Sequence, residues 1–153
     1  MNRRLRPIAP SDLAALAQIH ALCFPEDRWD EKALAELLAM AGASGHLIEE
    51  VEESRPVGFI IDLILAADAE ILTLAVGPAF RRQGVARALI ADLFERAHQS
   101  GARGIGLEVA ADNPAARRLY ESCGFAQSGR RRGYYRRGKD SVDALLFRHA
   151  LLS

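Results

Sequence analysis

Between residues 41 and 46 the periodicity of this chain changes from helical to alternating, and at Gly84 it changes back. That double switch limits the folds open to it. Leu13, Leu16, Ile19 and Cys23, then Leu34, Leu37, Leu38 and Ala41, recur at intervals of three and four, which keeps them on one face of a helix. Ser11 and Asp30 stand where helix N-caps belong, Phe24-Pro25 stops the first helix, and the Gly42 to Gly45 stretch breaks the second. His46 to Val51 and Pro56 to Leu65 then read as strands joined by a polar turn at Ser54-Arg55. Glu70 to Val76 follows a turn at Ala67-Asp68, so three neighbouring strands are expected as an antiparallel meander.

Residues 3 to 8 suit an opening strand. After the loop Gly77 to Gln83, the apolar residues Val85, Ala88, Leu89, Leu93, Phe94 and Ala97 mark a helix from Gly84 to Gln99, and Gly101 suits the left-handed position after it. Ile105, Leu107 and Val109 alternate as a strand. Asn113-Pro114, an N-cap followed by proline at the first helical position, opens a helix that ends at Gly124. Phe125 to Arg132 and Val142 to Leu151 complete the pattern as two strands, with Gly133 to Asp140 expected as the loop between them. The order is βααβββαβαββ, an α+β arrangement in a single domain over residues 1–153.

Charge excludes little globally, because Lys+Arg and Asp+Glu both total 20, which favours neither nucleic acid nor a membrane surface. No apolar run nears the roughly 20 residues that span a bilayer, and polar Ser11, Asp12 and Gln18 interrupt any secretion-signal core. Cys23 and Cys123 fall in apolar helical patterns, so buried free thiols and a cytoplasmic location are expected. His20, His46, His98 and His149 lack ligand spacing, so no metal is expected. Locally, Glu49, Glu50, Glu52 and Glu53 read as a solvated hairpin, while Arg130, Arg131, Arg132, Arg136 and Arg137 crowd the far end of the chain.

The strand Leu72 to Val76 runs through a loop into a helix N-terminus, where the first amides lack intrahelical acceptors and meet the positive end of the dipole. Gly84 and Ala86 leave room there for a diphosphate, with Arg81, Arg82 and Arg87 nearby. An ordinary glycine-capped loop with solvated arginines is the alternative. The spacing Arg81-x-x-Gly84-x-Ala86, however, resembles the pyrophosphate loop of the GCN5-related N-acetyltransferase (GNAT) superfamily. That resemblance covers almost the whole chain and implies the GNAT fold, a mixed, mostly antiparallel central sheet with helices on both faces. It also implies acetyl-CoA as cosubstrate, with Arg81, Arg82, Gln83, Gly84, Val85, Ala86 and Arg87 around the diphosphate. Leu74, Ala75 and Val76 match the splayed strand that pairs with the pantetheine arm.

Glu108 lies within an apolar strand and suits either a general base or a local ion pair with Arg103 or Arg117. Tyr120, seven residues past Asn113, suits either packing or a proton donor. The run Leu107-Glu108-Val109, Asn113-Pro114-Ala115-Ala116-Arg117-Arg118-Leu119-Tyr120-Glu121-Ser122-Cys123-Gly124-Phe125 resembles the RimI-type ribosomal-protein N-terminal alanine acetyltransferases, a likeness that Tyr134-Tyr135 and Asp143-Ala144 strengthen. The resemblance implies Glu108 as general base, Tyr120 as the acid that protonates the leaving thiolate, and Asn113 as a coenzyme A contact. The chemistry is coherent, because a protonated amine must lose a proton before attacking a thioester, and the expelled thiolate gains one.

Tyr134 and Tyr135 are implied to line an acceptor-peptide groove, whereas an RNA patch or a solvated hairpin is the alternative. The partner so implied is a protein N-terminus, possessed by a ribosomal protein beginning in alanine, met by a monomer or weak dimer without membrane or direct nucleic-acid binding. The chain departs from the subgroup in two places. The family's early Phe-Pro-Trp is stretched to Phe24-Pro25-Glu26-Asp27-Arg28-Trp29, and the stretch after Tyr135 is short and arginine-rich. A small-molecule amine acceptor therefore stands as the alternative enzyme reading, and an acyl-CoA-binding module without catalysis as the other.

Overall fold

Alternating and helical patterns resolve into strands and helices in the expected order in the computed structural model, which describes residues 2–151. The strands are β1 (Arg3–Pro7), β2 (Ala43–Glu50), β3 (Arg55–Leu65), β4 (Asp68–Val76), β5 (Gly104–Ala110), β6 (Ala126–Arg137) and β7 (Asp140–Ala150). The helices are α1 (Leu13–Cys23), α2 (Glu31–Leu38), α3 (Val85–Gln99) and α4 (Pro114–Ser122). Together the strands form one mixed sheet in the order β1-β2-β3-β4-β5-β7-β6, antiparallel except where β4 meets β5. The crossover through α3 makes that pair parallel, as a strand-helix-strand unit must.

Period-two alternation divides the core between two faces. Ile60, Ile71, Ile105 and Leu107 pack beneath Leu89, Ile90 and Leu93 of α3 and Tyr120 of α4. On the other face Leu47, Phe59, Ile61 and Ala75 meet Leu16 and Ile19 of α1 and Leu34 of α2. Asp62 of β3 is fully buried and held by Arg96 of α3 at 2.7 Å, a link between helix and sheet that the apolar pattern did not disclose.

Caps fix the helix ends. Asp30 accepts the Ala33 N–H at 2.9 Å, Asn113 accepts that of Ala116 at 3.2 Å, and Gly101 takes φ +79° after α3. Ser11 does not cap α1. It lies inside a 3-10 turn that Pro10 opens, and the next residue, Asp12, accepts the Ala9 N–H at 2.7 Å and two hydrogen bonds from Arg6 at 2.9 Å.

Half of the acidic cluster departs from its expected solvated state, whereas Glu52 and Glu53 are exposed as expected. The register of β1 on β2 sets Arg4 opposite Glu49 and Arg3 opposite Glu50. Glu49 and Glu50 are accordingly buried, Glu49 accepting from Arg4 at 2.8 Å and Arg6 at 3.0 Å, and Glu50 pairing with Arg55. Those arginine hydrogen bonds hold the Glu49 carboxyl below its usual range. The two thiols are free, as expected, but half-buried rather than buried.

The expected loop from Gly133 to Asp140 is mostly strand. Tyr135, Arg136 and Arg137 pair with Val142, Ser141 and Asp140, leaving a tight turn at Gly138-Lys139 where Gly138 takes φ +63°. Gly133 instead marks an irregularity between Arg131 and Tyr135, with φ +61° and its N–H donated to Asp143 at 2.8 Å. Adjacent β-favouring tyrosines carry the strand through the glycine that suggested a loop.

Candidate active site

β4 and β5 pair at two positions alone, Ala69 with Ile105 and Glu70 with Gly106, and then diverge. The residues of β4 beyond that point, through Leu74, Ala75 and Val76, keep β3 on one side and face the opening on the other. A break in register at Ile61-Asp62 leaves Leu72 without a partner on β3 and turns β4 as it enters the opening. Main-chain groups along an open strand edge can pair with an extended amide-bearing arm. Cys23, at the end of α1, reaches the same place and donates to the Val76 carbonyl at 3.2 Å.

The next segment delivers α3. Gly84 is its N-cap with φ +82° and no side-chain cap, so the amides of Val85, Ala86 and Arg87 have no acceptor within the helix. A Cβ built on Gly84 would meet nothing within 4 Å. The glycine is therefore demanded by its left-handed backbone, and the space before it is open. Free amides, the helix dipole and that space suit the diphosphate of a coenzyme.

Of the charged residues expected nearby, Arg82 has φ +63° in the loop. Arg81 has its guanidinium 3.6 Å from Cys23 Sγ. Arg87 is committed elsewhere, donating to Ser122 Oγ at 2.8 Å and so tying α3 to the end of α4. Gln83 accepts from Arg3 at 2.5 Å. Asn113 spends its side-chain oxygen on its cap.

Alternation along β5 sends Ile105, Leu107 and Val109 into the core under α3 and turns Glu108 to the opposite face. There α1 and α2 cover β2 to β4 but leave the neighbouring strands bare. A groove of about 360 Å³ runs across this bare face, lined among others by Leu65, Glu70, Glu108, Ser128, Leu146 and Arg148. Glu108 is half-buried and pairs with Arg131 of β6 at 3.2 Å, not with Arg103 or Arg117. Glu70, which the sequence reading passed over, shares this face. Burial first, and the Glu108 charge second, raise its carboxyl above the usual range. Alternation on β4 was the signal that could have found it.

Tyr120 is buried on α4, edge-on to Phe125 at a centroid distance of 5.6 Å. Burial, with a smaller contribution from Cys123, pushes its hydroxyl well above the usual phenol range. It stays protonated at neutral pH. Tyr134 is exposed under Arg131, whereas Tyr135 is half-buried beside Arg137, its hydroxyl pushed up to about 12 by burial and then by Glu108 and Asp27. Tyr135 and Glu108 thus share one electrostatic neighbourhood, and Tyr134 turns outward.

The arginine crowd is largely paired. Arg130 meets Asp143 at 3.4 Å, Arg131 meets Glu108, and Arg137 meets Asp112 at 2.8 Å and Asp27 at 2.9 Å. Among the described residues no three His, Cys, Asp or Glu side chains converge as a metal site, and no helix is long and apolar enough to cross a membrane.

A splayed parallel pair followed by a glycine-capped helix in this strand order defines the class. The acetyltransferase (GNAT) family model matches residues 13–125, and the chain belongs to that family. It is an N-acetyltransferase that uses acetyl-CoA. The chain is 33% identical over 138 residues to the ribosomal protein bS18-alanine N-acetyltransferase of Escherichia coli strain K12, covering 89% of each chain. The crystal structure of the ribosomal-protein-S18-alanine N-acetyltransferase from Escherichia coli superposes with a TM-score of 0.86 at 26% identity, covering 99% of this chain and 96% of that one. Arabidopsis thaliana NAA60 in complex with a bisubstrate analogue gives 0.87 at 26% identity, covering 99% and 100%.

Proposed function

We propose that the chain acetylates the N-terminal amine of a protein, with a ribosomal protein beginning in alanine as acceptor. The observation that carries this reading is Glu108, a carboxylate on the bare sheet face beside the splay, with a groove leading past it. Similarity over most of the chain to enzymes named for ribosomal protein bS18 alanine supports the acceptor.

Acetyl-CoA supplies an activated acetyl thioester. In this reading the main chain of Leu74, Ala75 and Val76 aligns its arm, the amides of Val85 to Arg87 hold its diphosphate, and Arg81 and Arg82 add positive charge. Gln83 and Asn113 border the same site. Glu108 takes a proton from the acceptor ammonium, and the Tyr120 hydroxyl, kept protonated by burial, gives one to the departing sulfur. Tyr135 and Tyr134 shape the acceptor side. We further read the chain as a single cytoplasmic domain acting as a monomer or weak dimer.

Pairing of Arg130, Arg131 and Arg137 with carboxylates reduces the basic rim that favoured a small-molecule amine as acceptor. Incubation with acetyl-CoA and alanine-initiated peptides is expected to release free thiol. No turnover on a broad panel of peptide N-termini, with turnover of a polyamine or amino sugar, would overturn the N-terminal reading.

A further inference from the structure

The last residue of β6 has more partners than its place at a hairpin tip requires. Arg137 donates through Nε to Asp112 at 2.8 Å, through Nη2 to the other oxygen of Asp112 at 3.3 Å, and through Nη1 to the Arg136 carbonyl at 2.9 Å. Its Nη1 also lies 2.9 Å from Asp27. The guanidinium stacks 5.5 Å from the centre of the Tyr135 ring, and the side chain is only 18% exposed. Exposed ion pairs are weak because water screens them, and Asp112 is itself 42% exposed; what holds this arrangement is the planar fork, engaged at every nitrogen and backed by the Tyr135 ring.

Its two carboxylates come from separate parts of the fold. Asp27 belongs to the stretched segment between α1 and α2, and Asp112 to the segment between β5 and α4, four residues past Glu108. The Asp27 segment is anchored from behind as well. His20 of α1 accepts the Trp29 N–H at 3.0 Å and stacks on the Trp29 ring at 4.9 Å, so both ends of that segment are fixed. Arg137 therefore joins three segments of the chain beside Tyr135, the ring on which the charges of both Glu108 and Asp27 act.

We propose that Arg137 is a positioning residue that fixes the acceptor side of the site beside Tyr135 and thereby restricts the acceptor to a small first residue. The inference rests on the N-terminal-amine reading above for the kind of acceptor, while the strap itself rests on the contacts just given. It also accounts for the departure of this chain from its subgroup. The longer segment between α1 and α2 supplies Asp27, and the arginine-rich hairpin supplies the group that holds it.

The test uses the full chain with Arg137→Lys, Asp27→Asn and the double variant, assayed on alanine- and leucine-initiated peptides. Lysine keeps the charge but cannot span two carboxylates as a fork does. Each single variant is expected to raise the KM for the alanine peptide about tenfold and to lower the alanine-to-leucine ratio of kcat/KM about tenfold, with the KM for acetyl-CoA within about twofold. The double variant is expected to be no worse than either single one, because breaking one side already breaks the strap. Hydrogen exchange at the amides of Asp27 and Trp29 is expected to quicken about tenfold in the variants while β3 stays protected.

Unchanged selectivity together with unchanged exchange, or additive effects in the double variant, would overturn the strap. Turnover of a small amine by the wild-type chain with no peptide accepted would instead overturn the N-terminal reading. The strap would then stand on faster exchange and a raised KM for that amine, and fall without them.

Discussion

The Arg131 guanidinium reaches Glu108 at 3.2 Å from the edge strand β6, across the intervening β7. Arg131 is 54% exposed, so water screens the pair and it contributes at most about 1 kcal/mol. It steadies the carboxylate without locking it. Glu108→Gln, nearly the same shape but unable to accept the ammonium proton, is expected to lower kcat about a hundredfold or more. Arg131→Gln is expected to stay within about tenfold of wild type. Acetyl-CoA affinity, read by calorimetry, should be the same in both, because neither residue adjoins the α3 N-terminus. Equal kcat in Glu108→Gln and wild type would remove Glu108 from the mechanism.

Tyr120→Phe isolates the acid. Phenylalanine keeps the edge contact with Phe125 and the buried volume, so the melting temperature should hold. The kcat is expected to fall about tenfold to a hundredfold, read as slower thiol release. Because burial drives the Tyr120 hydroxyl upward, its ionisation should leave no mark on the wild-type rate across the neutral and mildly alkaline range. A variant as fast as wild type would make Tyr120 a packing residue.

Gly84→Ala tests the donor side. At φ +82° an alanine suffers a backbone penalty of roughly 1 to 2 kcal/mol. The open space before it means no collision within the protein. Stability should therefore fall modestly, whereas the KM for acetyl-CoA should rise at least about tenfold, because the methyl occupies room assigned to the diphosphate. A KM unchanged beside the lost stability would separate this loop from coenzyme binding.

Arg96→Ala removes the partner of a fully buried carboxylate. An uncompensated Asp62 beneath α3 is expected to cost about 3 to 5 kcal/mol in a denaturant titration. Asp62→Asn with Arg96→Ala should recover part of that loss. If the single variant unfolds at the wild-type midpoint, the pair does not hold α3 to the sheet.

Elements with strong periodicity were legible in the sequence, and so were chain-local signals. Asn113-Pro114, Asp30 and Gly101 act as read, because capping depends on residues within one turn. Ser11 failed because Arg6 draws Asp12 into a competing network. The buried Glu49 was hidden for a related reason, since its neutralising arginines, Arg4 and Arg6, arrive from a strand more than forty residues away. At the site, the glycine-capped helix could be read locally. The partner of Glu108 and the strap on Arg137 could not, because each depends on segments far apart in the chain that the sheet order β5-β7-β6 brings together.

His20 gives the fold a pH dependence whose sign follows from its surroundings. Buried between Phe24 and Trp29 and accepting the Trp29 N–H, its imidazole is lowered from 6.5 to about 4, burial outweighing the opposing pull of Asp27. The unfolded chain takes up the proton first, so the stability contributed by the neutral ring is full above pH 6.5 and is lost as pH falls towards 4. The loss should approach on the order of 3 kcal/mol. His20→Asn retains an oxygen that can accept from Trp29 but carries no titrating group. Its denaturation midpoint should start lower and then vary less than that of wild type across this window. Parallel slopes in the two proteins would show that His20 does not titrate on unfolding, and would leave the acid sensitivity to Asp12 and Glu49, whose lowered carboxyls lose their contribution only at more acidic pH.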